Sequence, residues 1–212
     1  LCIGALADTQ LNGFSSTQLQ ALAHTQLDGL TALLLTDLAE TQMDGLTSAQ
    51  LLNLADTQLN GLQSAQIAGL ASTDLAVLNT TQIRALSRGQ IEALTTTQVG
   101  GLTGTQIRSL TTVQVMALTP AHMGLLSATQ EEGLTSLQMA VLSLEQIGVL
   151  TTMQIVHLST AQVRGLTKTQ ITALSSPQIA ALQSTDLAVL STGQMGGLTE
   201  AQITALTVTQ VG

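Results

Sequence analysis

An eight-residue period runs through the chain without a break in phase, and it leaves few folds open. The stretch Leu166-Thr167-Lys168-Thr169-Gln170-Ile171-Thr172-Ala173 shows the unit: Leu, Thr or Ser, two variable residues, Gln, an aliphatic, a variable residue and a small one. Leu holds the first position from Leu6 to Leu206, with Phe14 the one substitute. Gln holds the fifth position except at Cys2, Leu34, Asp74, His122 and Asp186. The sixth position is Ile, Leu, Val or Met at every site but Glu131.

Each octad spells the start of a helix. Thr or Ser at position two is an N-cap, and Gln then falls at the third helical position. Thr-x-x-Gln is a capping box, in which each side chain satisfies a backbone N–H that the first turn leaves without a partner. Leu before the cap and the aliphatic at position six supply the hydrophobic staple that accompanies such boxes. Pro120 follows the cap Thr119, where its missing N–H costs nothing. Glu145 and Glu200 fall in first turns, where the helix dipole favours a negative charge.

The signal recurs too soon for one long helix. Over one octad an α-helix turns the apolar stripe by about 80°, so the stripe would wind around the axis and never face one core. The helix must therefore stop and restart at each Thr. A piece of about one and a half turns is unstable alone, because helix nucleation is costly. Stacking on the next coil has to supply the stability, as in other solenoids. The expected fold is all-α, a tight solenoid of short helical octads, with residues 1–212 forming one continuous array. A β-solenoid is the alternative. Thr95-Thr96-Thr97-Gln98-Val99 has good strand propensity, and Asn12-Gly13, Asp28-Gly29, Asp44-Gly45 and Asn60-Gly61 read as tight turns. Against it, positions one and six have opposite parity, so a flat strand would send them to opposite faces.

Composition narrows the partners. Phe14 is the single aromatic, so the core must be thin and aliphatic. Net charge is −8, and the cations are Lys168, Arg84, Arg88, Arg108 and Arg164. Nucleic acid and anionic membrane recruit clustered basic residues, which this chain lacks. The longest aliphatic run, Ala32-Leu33-Leu34-Leu35, is far short of the roughly 18–20 residues that span a bilayer. Cys2 is the only cysteine and offers neither an internal disulfide nor a metal quartet. Both ends fall in mid-repeat without a polar cap, as expected of a segment of a longer array.

No residue pattern here marks a catalytic, cofactor or metal site. His24, His122 and His157 occupy three different repeat positions. No Ser lies in a nucleophile elbow, and Gly100-Gly101 and Gly196-Gly197 lack the strand and Lys of a phosphate loop. In the first third, Ala7, Ala23, Ala39, Ala55 and Ala71 take position two in alternate octads, followed by Asp8, His24, Glu40, Asp56 and Ser72. The polar group after each Ala can substitute for the missing cap. If two octads were an even fraction of a coil, the carboxylates would stack into a ladder able to hold Ca²⁺. Glu131 in an apolar position reads as a solvated irregularity, and Leu34 as local repacking.

Leu118-Thr119-Pro120-Ala121-His122-Met123 resembles the first-helix opening of TAL effector repeats, over that segment alone, and no DNA binding is carried over. The Leu-Thr-x-x-Gln-Ile-x-x unit over the whole chain resembles the octapeptide arrays of large, repetitive bacterial surface or adhesin-type proteins. That resemblance implies an extended extracellular or cell-surface role and supplies no functional residue. The expected function is structural and non-enzymatic: a stalk, fibre or filament segment whose main partner is itself. The alternative is an adhesin that engages a protein, glycan or lattice through its regular surface.

Overall fold

A computed structural model of the chain describes residues 13–27 and 30–211, without the side chains of residues 24, 32, 40 and 211. Among the described residues the chain forms 25 helices of four to six residues, from Ser16–Gln20 to Val208–Val211, and no strand. The β-solenoid alternative is therefore set aside. Of the Asn-Gly and Asp-Gly pairs that favoured it, Asn12 and Asp28-Gly29 lie outside the described residues. Asn60 and Gly61 close the helix Asp56–Gly61, and no described residue has a positive φ.

The redirection between helices takes one Leu-Thr pair. Leu166 (φ −65°, ψ 139°) and Thr167 (φ −78°, ψ 160°) are both extended and separate Thr160–Gly165 from Lys168–Ala173. The same pair thus ends one helix, drops a Leu into the core and caps the next. Thr167 Oγ1 accepts from the Gln170 N–H at 3.2 Å, and Gln170 Oε1 accepts from the Thr167 N–H at 2.7 Å, closing the box. Leu166 and Ile171, its staple, are both buried.

Where position two is Ala and position five is Gln, the box keeps only its Gln half. Ala55 N–H donates to Gln58 Oε1 at 2.8 Å, while the Gln58 N–H turns back to the Ala55 carbonyl at 2.9 Å. This i to i+3 bond tightens the first turn and satisfies the N–H that a hydroxyl would otherwise take. The polar residue after Ala does not stand in as the cap, contrary to the reading of the sequence at Asp56.

The chain divides into two compact units, Leu1–Leu102 and Thr103–Gly212. In the first, the helix Asp56–Gly61 packs on Thr80–Ala85 and Ser64–Gly69 on Arg88–Ala93. In the second, Ser136–Ala140 packs on Thr160–Gly165 and Lys168–Ala173 on Thr192–Met195. Every such pair is three octads apart, so within each unit three octads make one coil and the octads stack in three columns. The coils approach most closely at position eight. A Cβ on Gly45 would lie 2.6 Å from the Ser16 Cα, and one on Gly165 would run into the Ser136 backbone. In Gly100-Gly101 only Gly101 makes such an approach, to Ser72, while Gly100 faces open space.

The position-five Gln ties coil to coil. Gln170 Nε2 donates to the carbonyls of Met139 at 2.9 Å and Leu142 at 2.7 Å, on the coil before. Gln50 does the same to Leu19 and Leu22, Gln90 to Leu59 and Leu62, and Gln202 to Ile171 and Leu174. The carbonyls reached lie at a helix C-terminus, the first of each pair also taking the i to i+3 bond that ends its helix, as Met139 does from the Leu142 N–H. One buried amide therefore closes the N-terminus of its own helix with its oxygen and the C-terminus of an earlier helix with its nitrogen. The partners fix the orientation of the amide, since the reverse would set donor against donor.

The exceptions at this position follow the same logic. His122 Nδ1 accepts from the Thr119 N–H at 3.1 Å, replacing the Gln oxygen. Leu34 supplies no amide, and Thr31 alone caps its helix. Asp186 Oδ2 accepts from the Gln183 N–H at 3.1 Å, but a carboxylate has no donor for the carbonyls of the coil before. Burial raises the Asp186 carboxyl above its usual range, and the Gln183 N–H offsets part of the rise. Asp186→Gln is expected to stabilise the fold by about 1 kcal/mol, the net worth of one added hydrogen bond. A urea midpoint unchanged or lowered by the substitution would contradict this.

Candidate functional site

The outer positions of the octads vary, and one local departure from the pattern stands out. Glu131, in the helix Ala128–Gly133, occupies position six of its octad, where the coils before and after carry Ile107 and Ile155, both fully buried. Glu131 does not escape to solvent. It is 2% exposed, and neither carboxylate oxygen meets a hydrogen-bond donor in good geometry. The sequence reading of a solvated irregularity is thereby corrected. Position six points between coils packed too closely for so short a side chain to reach water.

The surroundings of the carboxylate define a shallow cleft of about 310 Å³. Its apolar walls are Leu125 and Met153, 65% and 64% exposed, with Leu126 deeper. His157, at the end of the helix Thr152–His157 in the next coil, places Nδ1 at 4.0 Å from Glu131 Oε2. That is the limit of an ion-pair contact and beyond hydrogen-bond reach. Desolvation pushes the Glu131 carboxyl up to about 7, and the neighbouring Gln154 amide lowers it by a smaller amount. The Gln154 amide is already engaged, accepting from Thr151 N–H and donating to the Met123 and Leu126 carbonyls. Its pull on the carboxylate is therefore secondary. On the helix packed from the coil before, Gly104–Ser109, the cation is Arg108. It shares a separate surface cleft with Glu132.

The remaining sequence candidates do not converge. His122 is buried as a substitute for Gln, and His157 lies at the surface. Among the described residues no three His, Cys, Asp or Glu side chains gather to hold a metal. Cys2, Asp8 and Asp28 lie outside the described residues, as do the side chains of His24 and Glu40. In the described octads the register runs against a Ca²⁺ ladder, because two octads are only two-thirds of a three-octad coil. Side chains repeating every second octad fall in different columns, and the series returns to one column only every second coil. No described helix is long and apolar enough to cross a membrane.

Residues 67–104, 152–184 and 179–212 match the family model of the ALTTAQ repeat. The chain is a repeat-array protein. The six letters of that repeat name contain the box itself, Leu-Thr-x-x-Gln, and Ala93-Leu94-Thr95-Thr96-Thr97-Gln98 differs from them at one residue. In this array the Thr and Gln of the motif cap one helix, and the Gln nitrogen reaches the coil before. No curated protein matches the chain.

Proposed function

We propose that the array is a non-enzymatic structural element, an extracellular or cell-surface stalk, fibre or filament segment that associates with copies of itself. The observation that carries this reading is the Gln amide, which spends the most regular chemistry of the repeat on joining coil to coil. A chain built this way gains length with each added octad and needs no grafted site. Lateral association has a basis in the second unit. Val113 and Leu137, 54% and 71% exposed, both hold position four and lie three octads apart, on successive coils of one column. Few charges oppose the approach of a second copy along such a side. An acidic, Lys-poor, Thr-, Ser- and Gln-rich composition suits an extracellular setting.

The rival reading is an adhesin that engages a protein, glycan or lattice. A lattice binder needs uniform outer positions, whereas here position seven runs through Gly100, Arg108, Met116 and Glu132. Light scattering and electron microscopy of the purified protein test the proposal. Long particles are expected, with lateral bundling reduced in the double variant Val113→Glu, Leu137→Glu. Dispersed monomers at high concentration that bind a glycan or protein tightly would overturn the structural reading in favour of the adhesin.

A further inference from the structure

Glu131 is among the residues that line a shallow cleft, its buried carboxylate oxygens meet no donor in good hydrogen-bond geometry, and the repeat gives no structural reason for it. Every other octad fills that position with an aliphatic side chain, so stacking alone calls for Ile or Val there. An unpartnered charge is costly to bury, and the cost falls when a ligand brings the missing donor. We propose that this cleft binds a primary alkylammonium group, with its charged head on Glu131 and its chain between Leu125 and Met153.

The match is one of chemistry and size. A primary ammonium carries three donors and one positive charge, which suits two carboxylate oxygens that meet no donor in good geometry and draw only a secondary pull from the Gln154 amide. Leu125, Leu126, Ala128 and Met153 supply the apolar contacts of the walls, beside the polar Thr151, Gln154 and His157, so the body of the ligand is a short apolar chain that a cleft of about 310 Å³ holds. His157 sits at the rim, 4.0 Å from the carboxylate, and makes no hydrogen bond to it. Of the other charges on neighbouring elements, Arg108 and Glu132 line a cleft of their own and do not line this one. A metal fits less well, because Glu131 and His157 make two ligands and no third titratable side chain joins them among the described residues.

The probe is n-butylammonium chloride, titrated into the whole protein with Met and Leu methyl groups labelled for NMR. Shifts confined to Met153, Leu125 and Leu126 are expected, saturating in the millimolar range. Glu131→Gln, which keeps the shape of the side chain and removes its charge, should weaken binding at least tenfold. Affinity for the wild-type protein should also fall as pH drops from 8 to 5 and the carboxylate takes up its proton. n-Butanol, with the same chain and no charge, should bind at least tenfold more weakly. The proposal is overturned if butylammonium produces no shifts at these methyl groups. It is equally overturned if Glu131→Gln or n-butanol binds as well as the charged pair, or if affinity is flat across that pH range.

Discussion

Gln170→Glu is expected to destabilise the second unit by about 4 kcal/mol at neutral pH, although Glu serves a capping box as well as Gln does. The carboxylate still accepts from the Thr167 N–H, so the box survives. Its second oxygen, however, now faces the Met139 and Leu142 carbonyls that the amide nitrogen reached at 2.9 and 2.7 Å. Two hydrogen bonds are lost, two buried carbonyls lose a donor, and a charge is set against them in a site that is 2% exposed. Lowering the pH to about 4 should recover part of the loss, since a protonated acid can donate to one carbonyl. Gln170→Leu, which removes both roles, should cost a similar amount without the pH dependence. The measurement is urea unfolding of the three proteins at pH 4 and 7. If Gln170→Glu lies within about 1 kcal/mol of wild type at pH 7, the amide acts only within its own octad, and the coil-to-coil bond contributes little.

The same substitution explains which features are legible in the letters and which are not. Thr167 and Gln170 announce a helix start by local chemistry, and the box, the staple and the breaks between helices all follow from neighbours within one octad. How many octads close a coil depends on the angle that Leu166 and Thr167 set between helices, and that angle is not a property of residue type. Without the three-octad coil, a two-octad pattern looks capable of stacking, and His157 cannot be placed beside Glu131. One signal in the sequence does point to the coil-to-coil bond. Glu never replaces Gln at position five, although a box alone would accept it, and the strong preference for Gln favours a donor that only a few octads, such as those of Leu34, Asp74 and Asp186, forgo. Glu131 defeats a reading from the letters for a related reason. Charges usually escape to water, but here the side chain lies in the same buried row as its column neighbours Ile107 and Ile155.

Glu131→Ile should raise stability by about 3 kcal/mol above pH 7 and by much less below pH 4.5. The sign follows from linkage. The native carboxyl is pushed from 4.5 to about 7, so the folded state holds its proton more tightly than the unfolded state does. Below about 4.5 both states are protonated and the wild type bears no ionic penalty. Between 4.5 and 7 the unfolded chain releases its proton while the native protein keeps it, and stability falls by about 1.4 kcal/mol for each unit of pH. Above 7 the penalty is constant, at about 3 kcal/mol. Ile restores the residue found at this position in both neighbouring coils, so it removes the titration and fills the core together. Glu131→Gln should remove the pH dependence as well but retain a buried polar group, and its stability should lie between the other two. Thermal unfolding of the three proteins from pH 4 to 8 separates these contributions. A wild-type profile parallel to that of Glu131→Ile over the whole range would mean that the carboxylate titrates as though it were in water, and that its burial has no ionic cost.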